Sequence, residues 1–277
     1  MRVAGGGPAG LSKGRAALVV AGFAVVMLVA NSLAASVHNP VAALIVGPVL
    51  ACAVVWLYIW AGRRIERRRV AEFPRRGGGL HLVVGTVSGI GLAAVAIGVL
   101  ALLGVYRISG WGSVSGALAV AGAMCAVAVA EEVFFRGVVF RLLRDRWGAA
   151  VALVVSALIF GLVHLLNPDA SVWGAIAIAV EAGLLLGAAY LATGSLWLAI
   201  GLHFGWNAAT MGIFGTVVSG SEARESLVTA VTTGPDLLSG GSFGPEASVV
   251  SVLVCSAATV LLLYLGHRRG VLSPPKG

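Results

Sequence analysis

Charged side chains are scarce in this sequence. Asp, Glu, Lys and Arg make up 11% of the 277 residues, whereas 59% are hydrophobic. A soluble domain carries about 25% charged residues. So few polar side chains cannot cover a globular surface in water, and the surface must therefore face lipid. The composition excludes a soluble globular protein and predicts an all-α fold, a polytopic bundle of transmembrane helices.

Cysteine is also rare, and the spacings typical of metal sites are missing. The three cysteines, Cys52, Cys125 and Cys255, all lie within apolar runs. A disulfide framework is excluded, and so are C-x-x-C and H-E-x-x-H metal motifs. No repeat of 20 to 50 residues is found.

Positive charge exceeds negative charge, with a formal net charge of +8. The arginines cluster between the apolar stretches, which is the pattern of membrane loops rather than of a nucleic-acid-binding surface. We therefore expect the lipid bilayer as a partner and no nucleic acid.

The apolar runs divide the chain into about eight predicted spans, each close to the ~20 residues that cross a bilayer. The spans are 16–36, 41–61, 80–106, 114–140, 149–166, 173–192, 195–214 and 247–266. The predicted organisation is a disordered basic N-terminus (1–15), N-terminal membrane helices (16–106) with an arginine-rich, solvated cytoplasmic loop (63–79), a core (114–214), an extracytoplasmic loop (215–246), and a last span with a basic tail (247–277).

The distribution of basic residues predicts the orientation of these spans. With eight spans, all of the 19 lysines and arginines except Arg107 and Arg224 fall on the side of the arginine-rich loop. Cytoplasmic loops of membrane proteins are enriched in Lys and Arg. We therefore expect a multi-pass protein of the cell membrane with both termini in the cytoplasm.

Three charged residues interrupt the fourth span at Glu131, Glu132 and Arg136. A charge at bilayer depth costs at least ~2.5–3.5 kcal/mol, so charges there usually mark a functional site. Glu132 and Arg136 are four residues apart on a helix and can form an ion pair. Glu131 lies about 100° around the helix and can keep a free carboxylate. The alternative is that all three form one buried structural cluster.

Two histidine motifs lie in later spans, with His164 in the fifth and the pair His203 and Asn207 in the seventh. A single membrane histidine is more often a helix–helix hydrogen bond than a catalyst. Two histidines together with an asparagine and the carboxylates favour a functional site. Glu181, in the sixth span, has no partner at helical spacing and is interpreted as structural.

Helix lengths predict where these groups meet. Glu131 and His164 each lie 16 residues from a predicted turn at Trp147 and Gly148, and so ~24 Å from it. If the helix end protrudes ~15 Å, both lie ~9 Å below the inner surface. The sequence therefore predicts a polar cavity in the cytoplasmic half of the membrane, with an active site that opens toward the cytoplasm.

A carboxylate, two imidazoles and an amide suit water activation and oxyanion stabilisation in amide hydrolysis. No serine or cysteine nucleophile is suitably placed for an acyl-enzyme route. Two mechanisms stay open. One is direct activation of water by glutamate and histidine. In the other, zinc would be the cofactor, held by Glu131, His164 and His203 as in catalytic His₂Glu sites.

The motifs resemble those of the CPBP family, the CAAX proteases and bacteriocin-processing enzymes also called Abi, which is related to the type II CAAX prenyl endopeptidases. The family motifs E-E-x-x-x-R, F-x-x-x-H and H-x-x-x-N occur here at 131–136, 160–164 and 203–207. A weaker connecting motif matches at 183–187 and 193–197. The resemblance covers about one third of the chain.

The resemblance implies a membrane-embedded endopeptidase that opens toward the cytosol. Glu131 would activate water with His164 as its partner, and His203 and Asn207 would stabilise the oxyanion. The pair formed by Glu132 and Arg136 (E-x-x-x-R) would shape the site. The metal dependence of the family is itself disputed, so the resemblance leaves both mechanisms open.

Two classes of function remain. The first is cleavage of a membrane-associated or bacteriocin-like peptide, or of a membrane-protein substrate. The second is non-enzymatic, either an immunity or scaffold protein or a proton-coupled transporter that uses the buried charges as a relay. The sequence shows no inverted repeat or paired broken helices, which would favour transport.

Overall fold

The computed structural model describes residues 12–268, which fold almost entirely into helices. The α-helices, in chain order, are α1 (Lys13–Ser36), α2 (Pro40–Arg64), α3 (Gly78–Leu102), α4 (Val114–Glu132), α5 (Arg141–Val163), α6 (Val172–Ile178), α7 (Leu185–Thr193), α8 (Leu196–Asn207), α9 (Asp236–Ser239) and α10 (Val249–Arg268). Stretches of π-helix extend three of them, at Val133–Phe140, Ala179–Leu184 and Ala208–Ile213. Short 3₁₀-helices lie at His164–Leu166, Gly241–Phe243 and Pro245–Ala247.

Within residues 12–268, six helical segments are long and apolar enough to cross a membrane. They are Lys13–Ser36, Pro40–Arg64, Gly78–Leu102, Val114–Leu166, Val172–Thr193 and Val249–Arg268. The predicted all-α polytopic bundle is confirmed, and the six segments contain seven of the eight predicted spans. The predicted fourth and fifth spans form one segment of 53 residues. The predicted seventh span, α8, is not among the six; it is shorter and carries His203 and Asn207.

The long segment Val114–Leu166 nevertheless turns back on itself at the predicted position. Gly148 has φ 84° and ψ 173°, a conformation outside the helical region that glycine tolerates because it lacks a Cβ. Beyond this residue α5 returns along the bundle, so that the rings of Phe135 and Phe160 lie 4.8 Å apart. The predicted hairpin between the fourth and fifth spans is thereby confirmed.

The bundle has two distinct ends. The end that carries the loop 65–77 and the turns at Gly148 and Gly194 is called the arginine-rich end below. Its segments touch each other, since the amide of Leu196 donates to the carbonyl of Glu72 at 2.8 Å. The loops 37–39, 103–113, 164–171 and 214–248 connect the helices at the opposite end.

Part of the arginine-rich loop is packed rather than solvated, contrary to the prediction. Arg68 Nη1 lies 2.7 Å from Glu72 Oε1, and Arg141 Nη2 lies 2.6 Å from Glu66 Oε2. Glu72 and Arg141 are buried. The start of α5 therefore lies against this loop and does not protrude beyond it. The prediction counted only the arginines, whereas two glutamates in the same stretch provide partners.

A two-stranded sheet at the opposite end was not predicted. Strand β1 (Tyr106–Trp111) pairs antiparallel with β2 (Val228–Thr232), with a register irregularity between Ile108 and Gly110. The predicted loop 215–246 therefore contains a strand, together with α9. The sequence of β2, V-T-A-V-T, is rich in β-branched residues, which favour strands. Its partner lies more than 100 residues away, so only the fold reveals the pairing.

Helices α3 and α8 pack at close range through glycine. A Cβ at Gly85 or Gly89 of α3 would lie 2.3 to 2.4 Å from a carbonyl oxygen of α8, and one at Gly201 or Gly205 of α8 would lie 2.2 to 2.3 Å from a carbonyl oxygen of α3. Small residues let membrane helices approach this closely. This contact holds the helix that carries His203 and Asn207 against α3.

Two predicted terminal segments lie largely outside the described residues. Residues 1–11 of the predicted disordered N-terminus and residues 269–277 of the basic tail are not described. The described part of the N-terminus is helical from Lys13, and the Ser12 hydroxyl accepts from the amide of Arg15 at 3.5 Å.

The close approach of α3 and α8 predicts that a single methyl group at Gly85 destabilises the protein. Gly85→Ala should lower the free energy of unfolding by about 1–3 kcal/mol, the usual cost of overpacking. Gly91→Ala is the matched control on the same helix, because nothing lies within 4 Å of its added Cβ. Thermal unfolding of both variants in detergent measures the effect; equal midpoints for the two variants would contradict it.

Candidate active site

The four predicted catalytic side chains line one cavity. Glu131, His164 and the pair His203 and Asn207 come from three different helical segments, and all four side chains line a space of about 420 Å³. Cavities of roughly 300–1,000 Å³ with a few polar groups are typical of ligand sites. The structure therefore brings together the residues that the motifs single out.

Glu132 and Arg136 form the predicted ion pair in the middle of the bundle. Arg136 Nη1 donates to Glu132 Oε1 at 2.8 Å, and both side chains are almost completely buried. Arg136 Nη2 also donates to the carbonyls of Ala182 and Gly183, at 3.2 and 3.1 Å. These carbonyls belong to the π-helical stretch between α6 and α7. The pair thus ties α4 to the sixth predicted span.

His203 lies between the two neighbouring glutamates. Its Nδ1 is 3.0 Å from Glu132 Oε1, and its Nε2 is 3.8 Å from Glu131 Oε2. Because the ion-paired Glu132 can only accept, we assign the proton on Nδ1 as the donor. Nε2 is then the ring nitrogen that faces Glu131. Asn207 follows one helical turn later and lines the same cavity.

His164 is oriented by its own helix. Its Nδ1 lies 2.7 Å from the carbonyl oxygen of Phe160, so Nδ1 donates there and Nε2 is left to accept a proton. The ring of Phe160 lies 4.6 Å from the His164 ring and 4.7 Å from the guanidinium carbon of Arg136. The F-x-x-x-H spacing thus places one aromatic ring between the histidine and the ion pair.

Asn31, on α1, is a site residue that the motif analysis missed. Its Nδ2 donates to Glu131 Oε1 at 2.9 Å, and its side chain lines the cavity. This bond occupies one carboxylate oxygen and leaves Oε2 toward His203. An asparagine within an apolar span was the available signal, because its amide needs a partner in the membrane.

Two further carboxyl groups line the cavity, those of Glu181 and Glu246. The Cys255 thiol lies 3.4 Å from Glu181 Oε1. Glu246 accepts from the Trp206 indole at 2.7 Å and from the Ser219 hydroxyl at 2.6 Å. Burial raises the pKa of Glu246, although the two hydrogen bonds oppose that shift. Glu246 belongs to the predicted loop 215–246, where no motif pointed to the site.

The zinc alternative needs three donor groups close together. Among residues 12–268, no three His, Cys, Asp or Glu side chains are close enough to hold a metal ion. Glu131, His164 and His203 share a cavity without forming such a group. In this arrangement the three side chains do not fit a zinc ion.

The cavity reaches toward the end of the bundle opposite to the arginine-rich end. Its lining includes Asn167, Ser221 and Arg224, which belong to the loops of the opposite end. His164 stands at the last turn of α5, also toward that end. Within the described residues, no residue of the loop 65–77 lines the cavity. The predicted position in the cytoplasmic half of the membrane stays a prediction, because the depth of the cavity depends on where the membrane boundary lies along the bundle.

A comparison with protein families gives one match. Residues 112–209 match the family model described as type II CAAX prenyl endopeptidase Rce1-like. The resemblance predicted from the motifs is confirmed over this region. The match contains Glu131, His164, His203 and Asn207, whereas Asn31 and Glu246 lie outside it. It supports a membrane CAAX-type endopeptidase in general. Neither the curated proteins nor the solved structures give a match.

The buried ion pair predicts a large stability effect when one partner is removed. Arg136→Gln leaves Glu132 charged and uncompensated, which typically costs about 3–5 kcal/mol. Arg144→Gln is the control, since the Arg144 side chain is more than one-third exposed and its contact with Asp145 is long, at 3.9 Å. Thermal unfolding in detergent should show a large loss for Arg136→Gln and little change for Arg144→Gln. A stable Arg136→Gln protein would contradict the prediction.

Proposed function

We propose that this chain is an endopeptidase embedded in the cell membrane that hydrolyses a peptide bond with water activated by Glu131 and His164. The observation that supports it most directly is the geometry around Glu131. One oxygen is held by Asn31, and the other faces His203 across 3.8 Å at the wall of a cavity. A carboxylate fixed in this way can orient a water molecule and take its proton.

The other residues fit the remaining steps of amide hydrolysis. His164 Nε2 is unprotonated in the neutral ring and can accept a proton or pass it to the leaving amine. His203 and Asn207 line the cavity and would donate to the oxyanion, a role that requires the His203 ring to carry protons on both nitrogens. Glu132 and Arg136 hold His203 in place without touching the substrate.

We propose a peptide or membrane-protein substrate, such as a membrane-associated or bacteriocin-like peptide. The lipid bilayer is the second partner, and nucleic acid is not expected. The arginine-rich end is proposed to face the cytoplasm, together with both termini. A prenylated substrate is not part of the proposal, because a family likeness alone does not carry a substrate from one protein to another.

The mechanism predicts that Glu131→Gln abolishes cleavage while the protein stays folded. The amide keeps the shape and can still accept from Asn31, but it cannot take a proton. The loss should be about 10²–10⁴-fold in kcat, the usual contribution of a general base. Cleavage of a peptide library by purified protein in detergent measures it. Glu225→Gln, at an exposed position, is the matched control.

The same assay with a strong chelator separates the two mechanisms. Direct activation predicts that chelator leaves wild-type cleavage unchanged. Loss with chelator and rescue by zinc would overturn direct activation. Full activity of the Glu131→Gln variant would overturn the proposal that Glu131 activates the water. Protection against a toxic peptide that survives Glu131→Gln would favour the non-enzymatic immunity or scaffold protein instead.

Asn31 is proposed as a positioning residue for Glu131. Asn31→Ala removes one hydrogen bond of about 1 kcal/mol, so kcat should fall about five-fold with little change in KM. Ser32→Ala, at an exposed position on the same helix, is the control. An unchanged kcat would assign Asn31 a purely structural role.

A further inference from the structure

The loop residues that line the cavity all come from the end opposite to the arginine-rich end. They are Asn167, Pro168, Val218, Ser219, Ser221, Glu222, Arg224 and Glu246. Glu222 is exposed and Ser221 and Arg224 are partly exposed, so this wall of the cavity reaches the surface. The polar route from the cavity to the exterior therefore runs past residues 219–224, which we call the mouth.

The mouth is held in place by hydrogen bonds. Asn167 Nδ2 donates to the carbonyl of Ser219 at 2.6 Å, and the Ser219 hydroxyl donates to Glu246 at 2.6 Å. The amide of Gly220 donates to the carbonyl of Phe243 at 2.8 Å. Arg224 Nη2 donates to the carbonyl of Ala35, near the end of α1, at 2.9 Å. These bonds fix the mouth over the helices that carry Asn31 and His164.

The arginine-rich end is closed by a packed core. Tyr58, Phe140, Tyr190 and Leu196 lie between the site and that end, and each is at most 1% exposed. A second cavity of about 380 Å³ at that end, beside Phe73 and Trp197, shares no lining residue with the first. Within residues 12–268, the cavity thus reaches toward one end of the bundle only.

The charge distribution gives the two ends different sides of the membrane. Apart from the buried Arg136, Arg107 and Arg224 are the only arginines or lysines of residues 12–268 that lie away from the arginine-rich end. Positive residues concentrate in cytoplasmic loops, which places the arginine-rich end inside. The mouth is then outside.

We propose that the cavity opens to the extracytoplasmic face and that its substrate is a peptide presented there, reaching Glu131 past the mouth. This inference rests on the proposed function for the nature of the substrate, but the sidedness of the cavity stands on the charge distribution and the lining residues alone. It reverses the cytoplasmic opening that the motifs implied.

Thiol labelling of the full-length chain in right-side-out and inverted membrane vesicles tests the sidedness without any need for catalysis. A membrane-impermeant maleimide should label Glu222→Cys in right-side-out vesicles only. It should label Arg76→Cys, at the exposed arginine-rich end, in inverted vesicles only. The reverse pattern would overturn the orientation and with it the proposal.

A small charged thiosulfonate reagent tests the cavity itself. Val127→Cys lies in the cavity lining one turn before Glu131, whereas the native Cys125 on the same helix is not in that lining. The Val127→Cys thiol should react in right-side-out vesicles and not in inverted ones, and the wild type should show no reaction from either side. Reaction from the inverted side, from both sides or from neither side would overturn the proposal.

The labelling experiments and the proteolysis experiments can fail independently of each other. Labelling from the extracytoplasmic side only, together with a wild type that cleaves no peptide, would overturn the endopeptidase proposal and support the extracytoplasmic opening. Cleavage that depends on Glu131, together with labelling from the cytoplasmic side, would support the endopeptidase proposal and overturn the extracytoplasmic opening.

Discussion

The buried ion pair between Glu132 and Arg136 is the constraint on which the site depends. A charge in the membrane interior must have a partner, and each member of this pair has several. Glu132 accepts from Arg136 and from His203, while Arg136 also donates to the carbonyls of Ala182 and Gly183. Three helical segments are thereby held in one register around the cavity. The position of His203 depends on the ion pair, because His203 Nδ1 and Arg136 Nη1 both donate to Glu132 Oε1.

The pair is better explained by geometry than by stability. Replacing a buried ion pair by packed apolar side chains is often neutral or stabilising. Here the pair is also incompletely satisfied, since Glu132 Oε2 and Arg136 Nε have no hydrogen-bond partner among the described residues. What it provides is a fixed carboxylate beside Glu131 that is not available to the substrate. Two adjacent glutamates can then have different roles, one held by an arginine and the other by the weaker amide of Asn31.

The parts of this site that follow helical periodicity could be predicted from the sequence. The spacing of four residues predicts the Glu132–Arg136 contact, and a turn at Gly148 brings Phe160 and His164 back to the same depth as Glu131. Contacts between segments far apart in sequence could not be predicted. Asn31 is 100 residues from Glu131. Glu246 contacts Ser219 and Trp206 only because the loop 215–246 folds inward. The pattern of apolar residues in the sequence does not predict this inward fold. The contact of Arg141 with Glu66, between α5 and a loop that precedes α3, is likewise not indicated by any spacing in the sequence.

The proposed hydrolysis consumes water, so a site inside a membrane must be connected to an aqueous side. Water crosses a packed apolar layer poorly, and the layer around Tyr58, Phe140 and Leu196 lies between the site and the arginine-rich end. The polar lining instead continues from Glu131 and His164 to Asn167 and Ser221. Peptide and water would therefore share one route, and the two products would leave by it. Two sets of contacts then have the same effect, namely the glycine contact between α3 and α8 and the hydrogen bonds of the mouth. Both keep that route at a fixed width beside His203.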